Sequence, residues 1–442
     1  MQLMTLTETQ AQRLGADAFV FGFPLLLMTA TMRQATGVEP VANGEGFNRF
    51  AHLRHFVDPA AKTIVAANVD TLYSLTWLDL SDEPALLKLP DTGGRSYLMP
   101  LLDAWTNVFA SLDPHTIGSD GGTLAITGPD WTGEIPAGAR RIEAPTNNAW
   151  GIFHLHAHNR QDLDASRAIQ GQLELEPMSA QGSTVPAPLP EGRGDSALDP
   201  LPPAHRRVME MDASQFLAEL AAQMRINPPA AIDLPMLERL AAIELLPGCP
   251  FDWSALSEAT RESLAIGLEE GKELVSMPSA PEAGRGWQVL HTGAGSYGTD
   301  YLRRAHIANF ALGINRPEDA IFPLNTTDED GNQLTGSNRY LLRFEHGAIP
   351  PVDGIWSLGV YDMDQLFVSN PIDRYALGSR DELELASDGS LEIVIQHQPT
   401  DRCHPNWLPA PEGDFYLMLH LYKPSESILE GTWAAPPIQR IA

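Results

Sequence analysis

The sequence predicts a mainly β protein with a helical bridge, an α+β chain in which two strand-rich regions flank a helical one. Three observations carry this. Short alternating apolar runs bounded by glycine, proline, asparagine and aspartate recur up to residue 178 and again after residue 316. Between them, the apolar residues take helical spacing. Finally, 36 glycines and 36 prolines in 442 residues favour many turns and short strands over long helices. The length exceeds one ordinary core. The organisation predicted is therefore an N-terminal β domain with a leading helix (1–178), a proline- and glycine-rich linker (179–207), a helical bridge (208–315) and a C-terminal β domain (316–442).

The leading helix starts near Thr7 and carries the apolar run 18–28, with a bend expected at Gly22-Phe23-Pro24. That run is too short to span a bilayer. Its flank holds Glu8, Asp17 and only Arg13, so the positive region of an export signal is missing and a cytoplasmic protein is expected. The stretch 64–80 alternates as two strand segments joined by a bend at Asn68-Val69-Asp70. A turn at Gly93-Gly94-Arg95-Ser96-Tyr97 leads into a strand over 98–107, and a further strand covers 148–158. Six prolines between Pro186 and Pro203 give residues 179–205 the composition of an extended linker. Helices follow over 212–224, 236–246 (stopped by Pro247-Gly248), 257–277 and 301–312. Strands return over 339–345, 355–362, 391–396 and 415–422.

Composition excludes several functions. A net charge of −28 opposes binding of nucleic acid or an anionic membrane, because phosphates require Lys and Arg to neutralise them. Cys249 and Cys403 are the only cysteines, too few for a disulfide framework or a cysteine zinc motif. No Gly-x-Ser-x-Gly elbow, phosphate-binding Gly-x-x-x-x-Gly-Lys loop or His-Glu-x-x-His helix occurs, and no Gly-x-Gly-x-x-Gly follows a strand. Asp328-Glu329-Asp330-Gly331 lacks the later glycine and glutamate of a calcium loop and is expected to form a tight turn.

The stretch richest in chemistry is the strand over 148–158. Period 2 places Ile152, His154, His156 and His158 on one face, with Phe153, Leu155 and Ala157 on the other. His154 and His158 lie about 13 Å apart along such a strand, so one metal cannot take all three imidazoles. Two neighbours can converge, with a third ligand from elsewhere; His52 and His55 are candidates. The alternative is a solvated strand face whose histidines bind nothing. Asp70 and Asp103 are candidate acid/base groups, or else organise a bend and satisfy backbone donors. Trp105 could line a pocket or pack in a core, and Arg95, Arg303 and Arg374 could hold a carboxylate or phosphate, or partner acidic side chains.

Two halves of the chain resemble known families. Asn68-Val69-Asp70-Thr71-Leu72-Tyr73-Ser74, Asp103-Ala104-Trp105-Thr106-Asn107 and Gly128-Pro129 resemble domain of unknown function 1254. Pro350-Pro351, Trp356-Ser357-Leu358, Asn370-Pro371 with Arg374-Tyr375, Asp388-Gly389-Ser390-Leu391 and 406–411 resemble its usual partner, domain of unknown function 1214. The resemblance implies two jelly-roll-like β domains in one chain and carries no settled activity. It also implies that relatives usually bear arginine where this chain has His154 and His420, so imidazoles here replace two fixed positive charges. His420 shares a strand face with Tyr416, Met418 and Tyr422.

Two functions of different class are expected on these grounds. The first is a metal-dependent enzyme on a small organic substrate, with His154, His156 and His420 holding a divalent transition metal (Zn, Fe or Mn) and Asp70 or Asp103 as acid/base; hydrolase, lyase and oxygenase chemistry are not distinguished. The second is a non-catalytic protein whose cleft, lined by tryptophan and tyrosine such as Trp105 and Tyr416 with Arg303, binds a sugar or organic acid. Either takes a small-molecule partner; single copy and homo-oligomer stay open.

Overall fold

The computed structural model describes residues 6–37, 46–60, 68–157, 162–180, 203–277, 286–289, 293–399 and 405–441. Most of the proline-rich linker and His158 lie outside the described residues.

Nine strands build the N-terminal β domain: β1 (Phe50–His52), β2 (Thr71–Asp79), β3 (Ala85–Leu89), β4 (Tyr97–Asp103), β5 (Val108–Leu112), β6 (Gly122–Thr127), β7 (Arg140–Glu143), β8 (Asn148–His156) and β9 (Glu174–Pro177). They form two facing sheets, ordered β1-β2-β8-β4-β5 and β7-β6-β3-β9. Leu87, Leu101, Leu124, Phe153 and Leu155 fill the core between them. The alternation predicted for the histidine strand holds, since Phe153 and Leu155 point into this core and His154 to the opposite face.

Helices come next. α1 (Glu8–Thr36) opens the chain and α2 (Leu163–Gln170) precedes β9. α3 (Ala204–Met209), α4 (Ala213–Ile226), α5 (Leu234–Leu240), α6 (Glu258–Ser276) and α7 (Tyr301–Ala311) make the bridge. The helix carries on through Pro24: α1 is one continuous helix, capped by Thr7 at its start and by left-handed Gly37 at its end. Every residue from Ala18 to Ala30 is buried, so contacts on all sides hold the helix together across the proline. α1 forms one core with the bridge. Phe19 stacks on Phe216 of α4 at 4.7 Å, and glycines at 15, 267 and 271 let the backbones of α1 and α6 touch, so that a Cβ at Gly271 would lie 2.7 Å from that of Phe19. The leading helix thus belongs with the helical layer. Its Met28 and Met32 also cover Trp77, Leu102 and Ile152 on the outer face of the β2-β8-β4 sheet.

The C-terminal β domain contains β10 (Ala320–Ile321), β11 (Leu324–Asn325), β12 (Arg339–Phe344), β13 (Trp356–Asp362), β14 (Ala376–Gly378), β15 (Leu391–Gln396), β16 (Trp407–Pro409), β17 (Phe415–Tyr422), the short helix α8 (Glu426–Leu429) and β18 (Gln439–Ile441). The sheets β10-β17-β13-β14 and β16-β15-β12-β18 enclose Tyr340, Leu342, Leu358, Ile393, Leu417 and Leu419. Asp328 accepts the backbone N–H groups of Asp330 (3.0 Å) and Asn332 (2.8 Å), which makes 328–331 the expected turn.

Candidate functional site: a polar layer between two sheets

The outer face of the β2-β8-β4 sheet is covered twice. Helices take the end at Trp77 and Ile152, whereas the C-terminal β domain takes the other end, where Leu98 meets Ala320 and Tyr422. At that second end the strand faces are polar. Tyr73 pairs with His154 across β2 and β8, and Thr71 with His156; Ser357 pairs with His420 across β13 and β17, and Tyr361 with Tyr416.

Asn68 joins the two faces. Its Nδ2 donates to the Tyr73 hydroxyl at 2.6 Å and to the Tyr422 hydroxyl at 2.8 Å. Its Oδ1 accepts the N–H groups of Asp70 and Thr71 and the Thr71 hydroxyl, fixing the bend that the sequence places there. Asp70 crosses the same boundary: the Ser357 hydroxyl donates to its carboxylate, and Arg380 Nε lies 3.4 Å away. Arg380 also donates to the Val69 carbonyl. On the C-terminal side His420 Nε2 and the Tyr361 hydroxyl are 2.8 Å apart. Tyr361 stacks on Tyr416 with ring centres 5.2 Å apart, and Phe322 sets its ring edge-on to both His420 and Tyr422. On the N-terminal side the Tyr73 and His154 rings are 4.7 Å apart.

Three polar atoms in this layer are buried without a hydrogen-bond partner: His154 Nδ1, His420 Nδ1 and the Tyr416 hydroxyl. Their residues are 8%, 2% and 3% exposed. Burial sets the protonation of the layer. Both His154 and His420 are pushed down to about 4, so each is a neutral imidazole at pH 7. Burial raises the Tyr73 phenol to about 12 and holds those of Tyr361, Tyr416 and Tyr422 well above their ordinary value.

Of the residues singled out from sequence, the fold brings together Asp70, His154, His420 and Tyr416, with His156 beside His154 on the same strand face. Among the described residues, no group of three or more His, Cys, Asp or Glu is placed to hold a metal ion. His52 does not join the layer: its Nδ1 meets the Ser74 hydroxyl at 2.8 Å on the other face of β2. His55 Nδ1 meets Arg167. Asp103, Trp105 and Arg303 sit elsewhere. Asp103 lies opposite Ala149 while Leu98 lies opposite His154, a separation of five residues or about 17 Å of strand. The Asp103 carboxylate accepts the N–H groups of Trp105 and Asn107, each at 2.9 Å, and burial raises it to about 6. Trp105 donates to the Asn227 carbonyl and packs against the Arg304 guanidinium at 5.0 Å. Arg303, on α7, has buried Nε and Nη2 atoms without partners but no contact with the histidines among its described interactions. Arg95 pairs with Asp162, and Arg374 donates to the carbonyls of Pro405 and Trp407.

Sequence reasoning passed over Tyr73, Ser357, Tyr361 and Arg380. The first three stand inside the quoted motifs or predicted strands, and their alternation marks which face they occupy. Nothing local marks Arg380, because its partner Asp70 is some three hundred residues away.

Taken as a class, this is a protein of two β domains that meet sheet to sheet over a polar layer, braced by helices. Residues 47–177 match the family described as "Protein of unknown function (DUF1254)", and residues 319–426 match "Protein of unknown function (DUF1214)". The two together span more than half of the chain, which belongs to the proteins that join these families, as the quoted motifs predicted. The crystal structure of the VPA0106 protein from Vibrio parahaemolyticus shares the fold, with a TM-score of 0.74 at 22% identity over 98% of this chain and 100% of that one. A putative uncharacterized protein from Burkholderia cenocepacia gives a TM-score of 0.47 at 10% identity over 98% and 94%. No curated protein matches the chain.

Proposed function

We propose that the chain binds a small polar organic ligand, a sugar or an organic acid, in the layer between the β2-β8 and β13-β17 faces. One observation carries this: His154 Nδ1, His420 Nδ1 and the Tyr416 hydroxyl, supplied by both β domains, are buried with no partner. A buried polar group left unsatisfied costs about 1–3 kcal/mol, and three in one layer are a cost that a hydrogen-bonding ligand would remove. The surrounding residues suit such a role. Asn68, Asp70, Ser357 and Tyr361 fix one another through bonds that cross between elements, so the groups facing the ligand are held by a rigid frame.

The competing reading is the metal-dependent enzyme, with His154, His156 and His420 as ligands. The two separate in a single preparation. Thermal shift assays with panels of sugars and organic acids should give a saturable rise in melting temperature that is lost in Tyr416→Phe. Elemental analysis of untagged protein should find no stoichiometric transition metal; near-stoichiometric metal that disappears in His154→Ala would favour the enzyme instead.

A further inference from the structure

Resting on that ligand-binding reading, we infer that the ligand is electrically neutral and polyhydroxylated, which selects the sugar or polyol over the organic acid. The geometry of charge in the layer leads there. Asp70 is the carboxylate that crosses it, and Arg380, whose ring-side neighbour is Phe56, is the guanidinium that answers it at 3.4 Å. Arg380 is further engaged by the Val69 carbonyl and by Asp381 at 4.0 Å. Among the described residues, the other groups facing the layer are Thr71, Tyr73, Tyr361, Tyr416, Tyr422, Asn68, Ser357 and the imidazoles of His154, His156 and His420; the hydroxyls and the amide carry no charge, and burial keeps His154 and His420 neutral. An anion entering here would be buried beside the Asp70 carboxylate with no uncommitted lysine or arginine to meet it among the described residues, and an unpaired buried charge is heavily penalised.

The unpartnered atoms point the same way. A neutral imidazole nitrogen is a donor in one tautomer and an acceptor in the other, and a phenol hydroxyl is both. His420 can take either tautomer against Tyr361, because that hydroxyl can donate to or accept from Nε2. A ligand hydroxyl satisfies such a group whichever role it plays, whereas an ionised carboxylate only accepts and so requires every one of them to donate. Three such groups on β8 and β17 ask for several hydroxyls in one ligand.

Calorimetric titration of the full chain with matched pairs tests this: glucose against glucuronate, xylitol against xylonate, and maltose against maltobionate, each repeated with Tyr416→Phe. The expected result is binding of at least one neutral member at least tenfold tighter than its acid, weakened at least fivefold in Tyr416→Phe. Acid members that bind as tightly as the neutral ones or tighter, with the same loss in Tyr416→Phe, would overturn neutrality and leave the ligand-binding layer standing. Binding that Tyr416→Phe does not change, or no binding by any of the six, would overturn both.

Discussion

Replacing two buried imidazoles, His154→Gln together with His420→Gln, should remove about 4 kcal/mol of the acid sensitivity of the fold, while His52, which burial also pushes down to about 4, contributes equally in both proteins. Each imidazole is held near 4 in the folded chain against 6.5 when solvated. The unfolded chain therefore binds more protons between these values, and stability is lost as pH falls from 6.5 towards 4. Between pH 7.5 and 5.0 the linkage amounts to about 2 kcal/mol for each imidazole, or about 4 kcal/mol for the pair. Asp103 works in the opposite sense. Its folded value, raised from 3.8 to about 6, makes the folded chain the better proton binder, so acidification to pH 5.0 adds about 1.4 kcal/mol that is lost again as pH rises through 6. For these three groups the net change on acidification is a loss of about 2.6 kcal/mol in the wild type and a gain of about 1.4 kcal/mol in the double variant. Urea denaturation at the two pH values, followed by tryptophan fluorescence, reads the difference directly. Equal losses of stability in wild type and double variant would refute the claim that the two imidazoles are buried and neutral.

Other substitutions probe the frame around the layer. Asn68→Ala removes two donated and three accepted hydrogen bonds from a residue that is 3% exposed, and should cost more than about 3 kcal/mol in urea titration; a loss below 1 kcal/mol would mean that the bend holds without it. Lys423→Met strips the shared cation from Asp113 and Asp319, both buried at the boundary between the β domains, and should destabilise by about 3–5 kcal/mol in urea titration. Gly267→Ala puts a methyl into the Gln12 carbonyl of α1 and should lower stability by about 1–3 kcal/mol while leaving ligand binding intact; an unchanged denaturation midpoint would contradict the close approach of the two helices.

What the sequence alone determined is local. The strands Leu391–Gln396 and Phe415–Tyr422 fall on the residues that alternation assigns them, and α4, α6 and α7 match their apolar spacing to within two residues. Period 2 likewise placed His154 and His420 on the faces opposite Phe153 and Leu419, because the pleat fixes side-chain direction whatever the strand packs against. Which surface covers such a face is a different matter, decided by contacts between residues hundreds of positions apart. Only the tertiary structure sets Tyr422 against Asn68 and Arg380 against Asp70. It also places Asp103 about 17 Å along the sheet from His154 and packs Trp105 against Arg304 of the helical layer, although all three stand in polar or aromatic surroundings in the sequence. The same holds for α1: the sequence marks a helix with a proline inside it, and burial on every side keeps that helix whole, because packing against α4, α6 and α7 outweighs the one backbone hydrogen bond that proline cannot make.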